Sequence, residues 1–210
     1  MARLTLNRDA DLEGPIKQAA ELLRAGGIVA YPTETVYGLA ADTANESAIK
    51  RLFEVKQRKA DQAILILIPS VNALNDYAAH VPPLAAHLVK QFWPGDLTLI
   101  FKASPHVSPL LTGGSGKIGI RLSSHPVAAA LAREMGRAIT STSANVSGSP
   151  PCRHPVELPD VFGDRVDLVL DAGPSGGGTP STVLDITTDP PKILREGHIK
   201  RHQLIRSPMT

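Results

Sequence analysis

Ile28-Val29-Ala30-Tyr31-Pro32-Thr33-Glu34-Thr35-Val36-Tyr37-Gly38-Leu39 decides how this chain is read. Its first four residues make a buried strand, which Pro32 ends because proline has no N–H to give to a ladder. The chain then runs into a loop with three hydroxyls, from Thr33, Thr35 and Tyr37. Strand exits of this kind are where α/β sheets usually bind ligands. A plainer reading stays open, in which a Pro-Thr turn packs its aromatic on the core and Gly38 is an ordinary turn residue.

Upstream, Ile16, Ala19, Ala20 and Leu23 have the i, i+3, i+4, i+7 spacing of an amphipathic helix, and Gly26-Gly27 stops it. Downstream, Asn45 is suited to N-cap a second helix with Ile49, Leu52 and Phe53 on its apolar face. That face runs on to Lys56, so Lys56 and Arg58 fall where helix gives way to loop. Residues 63–68 form a continuous apolar run, the mark of a central strand. Helices are predicted over 70–79 and 83–92, ending at Trp93-Pro94-Gly95.

Strands are expected at 97–101 and 118–122, separated by a Gly- and Ser-rich loop. A helix over 126–135 has Pro126 in its first turn and Gly136 after its last. A short strand at 138–140 leads into Ser141-Thr142-Ser143-Ala144-Asn145, and the Pro-rich stretch 147–159 reads as an ordered connector or a lid. Strands at 168–170, 182–186 and 192–194 complete the pattern. Helices interspersed with strands predict an α/β domain of three layers around a twisted mixed sheet. No linker divides the 210 residues, so one domain over 1–210 is expected, with a basic tail over 200–210.

Composition closes off several functions. A hydrophobic share of 42% and a charged share of 20% are ordinary for a globular chain. Only 4% is aromatic, which disfavours a base-stacking surface, and a net charge of +2 does not suggest nucleic acid as the main partner. Cys152 is alone, which excludes an internal disulfide and a cysteine metal site. Asp9, Asp11 and Glu13 near the start leave no apolar signal region, and no run is long enough to span a membrane. A soluble, cytoplasmic protein is expected.

The charged and hydroxyl groups then divide into candidates. Lys56 and Arg58 supply two cations, a mobile point charge and a fork that can grip two phosphate oxygens; the alternative is two solvated charges at a helix C-terminus. Arg121 ends a buried strand and needs an acid, either a substrate carboxylate or an internal partner. Ser141, Ser143 and Asn145 suit ribose, phosphate or base, or form a turn cluster. Ser181 follows Gly176-Gly177-Gly178, where backbone can approach a ligand or simply form a loop. Gly113-Gly114-Ser115-Gly116-Lys117 is no Walker loop, because its first glycine is misplaced and Ile118 follows the lysine. His198 and His202 have no third metal ligand, and Cys152 near His154 carries no sign of an activated thiol.

In order along the chain, these segments resemble the YrdC-like family, whose enzymes are L-threonylcarbamoyladenylate synthases. The resemblance runs from about residue 14 to 199 and rests on Tyr31 to Leu39, Lys56-Gln57-Arg58, Phe92 to Gly95 with Leu97 to Leu99, and Arg121 with Ser124 to Pro126. Ser143-Ala144-Asn145 with Ser147-Gly148, Ser181 to Val183 and Leu194-Arg195 complete it. It implies the short, single-domain form, a three-layer YrdC-like domain, and a nucleotidyltransferase reaction. L-threonine, bicarbonate and ATP, with Mg²⁺, would give threonylcarbamoyl-AMP and pyrophosphate. A downstream threonylcarbamoyl-transferase complex would then modify adenosine 37 of tRNA.

The resemblance also implies roles. Lys56 and Arg58 would be catalytic and bind ATP together with Ser141, Ser143, Asn145 and Arg195. Thr33, Thr35, Tyr37, Arg121 and Ser181 would hold threonine, with Arg121 on its carboxylate. No resident metal ligand or tightly bound organic cofactor is implied. Several positions depart from the family pattern: Lys59, Gln62-Ala63, Asp96 and Pro180, and Leu67 where many members have a histidine on threonine. The last departure puts threonine selection in question. An alternative class is a paralogue that binds double-stranded RNA, tRNA or the ribosome through a face of Lys50, Arg51, Lys56, Arg58 and Lys59. A third is carbamoyl transfer from carbamoyl phosphate.

Overall fold

A computed structural model describes residues 1–6 and 12–205; Asp9, Asp11 and the end of the basic tail lie outside them. In chain order the elements are β1 (Ala2–Thr5), α1 (Glu13–Arg24), β2 (Val29–Pro32), β3 (Tyr37–Ala40), α2 (Glu46–Lys56) and β4 (Leu65–Leu67). Then come α3 (Leu74–Tyr77), α4 (Pro83–Phe92), β5 (Leu97–Lys102), α5 (Pro109–Thr112), β6 (Lys117–Arg121), α6 (Pro126–Met135) and β7 (Ile139–Ser143). The chain ends through α7 (Leu158–Phe162), β8 (Leu168–Asp171), β9 (Thr182–Asp185), β10 (Lys192–Arg195) and α8 (Arg201–Ile205).

The strands make one 10-stranded mixed sheet, ordered β1-β8-β2-β3-β7-β4-β6-β5-β9-β10. Side chains alternate across it, as the pleat requires. On β2, Ala30 joins the cluster of Ile49, Leu52 and Phe162, while Val29 and Tyr31 join Ile16, Leu23 and Leu131. Helices therefore cover both faces: α1 and α6 on one, α2 and α4 on the other. The expected three-layer α/β architecture is what the chain adopts.

Local chemistry explains the elements. The Asn45 side chain accepts from the Ala48 N–H and caps α2, and Gly136 at φ 69° closes α6 in a left-handed turn. Buried Ile16, Ala19, Ala20 and Leu23 form the seam of α1. Four readings need correction. Tyr37 to Ala40, read as part of a loop, is a strand paired antiparallel with β2, which ends at Pro32 as expected, with Pro32 opposite Tyr37. Strand β7 runs on through Ser141 to Ser143, because Ser141 pairs with Leu65 and Ser143 with Gly38. The unanticipated β1 runs parallel to β8, and the loop before β6 contains α5. Among the described residues no helix is long and apolar enough to cross a membrane.

Candidate functional site

Thr33 shapes the first wall. Its hydroxyl donates to the Val36 carbonyl at 2.6 Å and receives the Thr35 and Val36 N–H groups at 3.4 Å, closing the β2–β3 turn. This turn, the end of β6, the polar end of β7 and the start of β9 surround a cavity of about 480 Å³. That volume suits a small-molecule ligand. Thr33, Thr35, Tyr37, Arg58, Arg121, Ser141, Ser143, Ser181 and Arg195 all line it. Of the residues singled out from sequence, only Lys56 and Asn145 lie behind the wall.

Lys56 is 1% exposed, which rules out the solvated-charge reading. Its ammonium bonds the Ser143 carbonyl, the Asn145 carbonyl at 2.9 Å and Asn145 Oδ1 at 3.1 Å. Ser143 Oγ also donates to Asn145 Oδ1 at 2.6 Å, and Asn145 Nδ2 donates to the Ser149 carbonyl at 2.7 Å. The two distant doublets therefore meet directly. Burial, with help from the Arg58 charge, pushes the Lys56 amine down to about 7. The connector after Asn145 is ordered against the same helix, with Ser147 N–H on the Lys56 carbonyl at 2.8 Å.

Arg58 is fixed by backbone alone: Nε donates to the Gln62 carbonyl at 3.3 Å and Nη2 to the Ala63 carbonyl at 2.6 Å. The substitutions at 62 and 63 therefore leave its support intact. Arg195 is held by a single residue, with Nε on the Ser181 carbonyl and Nη2 on Ser181 Oγ, both at 3.0 Å. Both arginines keep Nη1 outside these bonds. Burial lowers the pKa of each guanidinium, and the Arg121 charge adds to the effect on Arg195.

Arg121 is 5% exposed and lies between two carboxylates. Nη2 is 3.2 Å from Glu34 Oε2 and Nη1 is 3.6 Å from Asp96 Oδ1. The internal-partner reading thus holds, yet Arg121 Nε is buried with no hydrogen-bond partner while the residue lines the cavity. Tyr37 contributes its ring to the wall, but its hydroxyl donates to the Gly173 carbonyl at 2.7 Å and accepts from Ala172 N–H at 3.2 Å. Burial pushes that phenol up to about 12.

Sequence reading missed Glu34, Asp96 and Arg153. Glu34 stood inside the quoted string, and pairing an acid with the buried Arg121 was the available signal. Arg153 lines the cavity from the connector, and no sequence pattern marked it. Leu67 is fully buried in the α1/α6 cluster and does not line the cavity, whereas Leu65 does. Pro180 lines it too, and its carbonyl accepts the His198 N–H at 2.9 Å. A Cβ on Gly197 would stand 1.9 Å from that carbonyl oxygen, so only glycine fits there. The basic face from Lys50 to Lys59 does not assemble: Lys56 is buried, and Arg51 pairs with Asp167 at 2.6 Å.

The family described as Telomere recombination (Sua5/YciO/YrdC) matches residues 21–197. Over 190 residues the chain is 42% identical to the threonylcarbamoyl-AMP synthase of Bacillus subtilis, covering 90% of this chain and 55% of that protein. Over 170 residues it is 38% identical to the threonylcarbamoyl-AMP synthase of Idiomarina loihiensis, covering 80% and 91%. The solved structure of P. abyssi Sua5 complexed with L-threonine superposes with a TM-score of 0.94 at 36% identity, over 99% of this chain and 61% of that one. The chain thus spans little more than half the length of the Bacillus relative.

Proposed function

The chain belongs to the Sua5/YciO/YrdC family, and on that premise we propose that it is an L-threonylcarbamoyladenylate synthase, a nucleotidyltransferase. The observation that carries the reading is the charge pattern of the cavity. Four arginines, Arg58, Arg121, Arg153 and Arg195, line one hydroxyl-lined space. Such a space suits a ligand set with two anionic ends, a carboxylate and a triphosphate.

In this reading Arg121 takes the threonine carboxylate, with Ser181, Thr33 and Thr35 beside it. The threonine amine attacks bicarbonate, losing a proton and expelling water, to give a carbamate. A carbamate oxygen then attacks the α-phosphorus of ATP, and the bond to pyrophosphate breaks. Arg58 and Arg195 offset the charge gathered on the phosphates, and the rate gain comes from positioning and charge stabilisation. Lys56 acts from behind the wall by fixing Ser143 and Asn145 against α2.

Glu34 and Asp96, the carboxylates nearest this space, face the Arg121 guanidinium. Mg²⁺ therefore fits this site as a companion of the triphosphate, where it spreads phosphate charge. Work in the cytoplasm, with the product passed to a transferase acting on tRNA, belongs to the same proposal. The test is pyrophosphate release from ATP, which should require both L-threonine and bicarbonate. ATP cleavage that ignores threonine would refute it.

A further inference from the structure

We infer that Asp96 is a built-in rival for the substrate carboxylate on Arg121, holding down the affinity of that subsite for its amino acid. The inference rests on Arg121 being the carboxylate anchor of the proposed reaction. The two acids that flank this arginine are not equivalent. Glu34 Oε1 accepts from Ser123 Oγ at 2.6 Å, Ser124 N–H at 2.9 Å and His125 N–H at 3.3 Å, and these bonds fix the group although Oε2, which faces Arg121 at 3.2 Å, has no hydrogen-bond partner of its own. Burial pushes the Glu34 carboxyl up, but Arg121 and the Ser123 hydroxyl outweigh it and hold the group below its ordinary range. Glu34 is a fixed counter-ion.

Asp96 is a loose one. Its Oδ1 is buried without a hydrogen-bond partner and stands 3.6 Å from Nη1, beyond hydrogen-bond reach. Burial and the Glu34 charge raise its pKa, against the pull of Arg121 and His198. With Nη2 facing Glu34, an incoming carboxylate is left with Nε, which has no partner, and with Nη1, which Asp96 confronts. Occupying either donor brings a second anion close to Asp96 in a poorly solvated site, where like charges repel strongly. Asp96 therefore subtracts from the pull of Arg121 and acts on the substrate through it.

The test is calorimetric binding of L-threonine and, separately, of ATP to wild type and Asp96→Asn. The asparagine keeps the shape and removes the charge. Threonine affinity should rise about 10-fold, the effect of roughly one pKa unit of interaction, with ATP affinity unchanged. In turnover, the change should fall on KM for threonine and not on kcat.

A second readout is the pH dependence of binding. Lowering the pH through the Asp96 titration should tighten threonine binding by wild type. Glu34, Arg121 and His198 face Asp96, and His125 faces Glu34 and Arg121. Their contribution is what persists in Asp96→Asn, so the difference between the two proteins isolates Asp96. Unchanged or weaker threonine binding in Asp96→Asn, with ATP binding intact, overturns the inference and leaves the synthase reading standing. If the variant does not fold, wild-type affinity that fails to rise as pH falls overturns it. If neither protein binds threonine at any pH, the synthase reading falls and takes the inference with it.

Discussion

Two buried cations, Lys56 behind the cavity wall and Arg121 on it, are treated in opposite ways. Lys56, 1% exposed, has three oxygens for its ammonium, all from Ser143 and Asn145. Arg121, 5% exposed, has two carboxylates near it, one beyond hydrogen-bond distance, and an Nε with no partner. A buried charge whose donors are all answered ties the fold together. One whose donors are unanswered is costly unless something else answers them, and here the cavity is where that can happen. Burial and charge alone would have ranked these two residues together; hydrogen-bond satisfaction separates scaffold from subsite.

The strongest way to break this contrast is Lys56→Met, which keeps the apolar stem and removes the ammonium. Three oxygens lose this donor, although the Ser143 carbonyl keeps the Asn145 N–H and Asn145 Oδ1 keeps the Ser143 hydroxyl, so stability should fall by about 2–3 kcal/mol, read as a lower urea midpoint at unchanged slope. The β7 end and the connector at Ser147 should lose amide-exchange protection first. A loss of activity with no loss of stability would make Lys56 a ligand group and dissolve the distinction.

Arg121→Ala should do the reverse. Threonine binding should weaken by about 2 kcal/mol, roughly 30-fold, the scale of a hydrogen-bonded charge. Stability should change less than in Lys56→Met, because the released Glu34 and Asp96 can relieve their repulsion by protonating. Isothermal titration with threonine, alongside urea unfolding of both variants, would show whether the effects cross over in this way.

The contrast could not have been read from sequence, although much around it could. Apolar runs such as residues 63–68 and the spacing of Ile16 to Leu23 fixed strands and helices, because periodicity reports burial directly. β1 escaped because its burial is mostly exposed, and β3 because Gly38 and two hydroxyl neighbours look like a loop. The polar end of β7 escaped for the same reason: its pairing with β3 and β4 is tertiary, and hydroxyl residues carry no alternating signal. In the site, residue types were legible and directions were not. Strand parity on β4 assigns Leu67 to the face opposite Ile66 and Leu65 to the same face as Leu67, but it does not say that Leu65 lines the cavity while Leu67 packs with α1 and α6. Whether Lys56 points at solvent or at Ser143 depends on a segment 87 positions later in the chain, about which local spacing is silent.

The Lys56 end also makes a pH prediction, smaller than either substitution. A lysine whose folded pKa lies near 7, below its ordinary 10.5, releases its proton first in the folded state. Between those values the unfolded chain binds more protons, so stability should rise with pH, by about 1.5 kcal/mol between pH 7 and 8.5. The three oxygens around the ammonium oppose that release. Urea unfolding across this range therefore measures burial against hydrogen bonding, and the slope should vanish in Lys56→Met. A flat wild-type profile means that the oxygens keep the proton, which sharpens the picture of Lys56 as a permanently charged tie.

Arg58→Lys should give the smallest effect, and it tests the middle ground between the two ends. Arg58 is half satisfied: Nε and Nη2 bond the Gln62 and Ala63 carbonyls, Nη1 stays outside these bonds, and the residue lines the cavity. Lysine preserves the charge but cannot grip two carbonyls and still present a donor, since its ammonium is one point on a flexible stem. The fold should hardly notice, because these carbonyls lie on an exposed loop that water can reach. ATP affinity should fall by about 1 kcal/mol, near 5-fold, with threonine affinity unmoved. If Arg58→Lys instead destabilises as much as Lys56→Met, its bonds to the loop matter more than the free donor, and Arg58 belongs with the scaffold. If it lowers threonine affinity as well, the two ends of the cavity are one subsite.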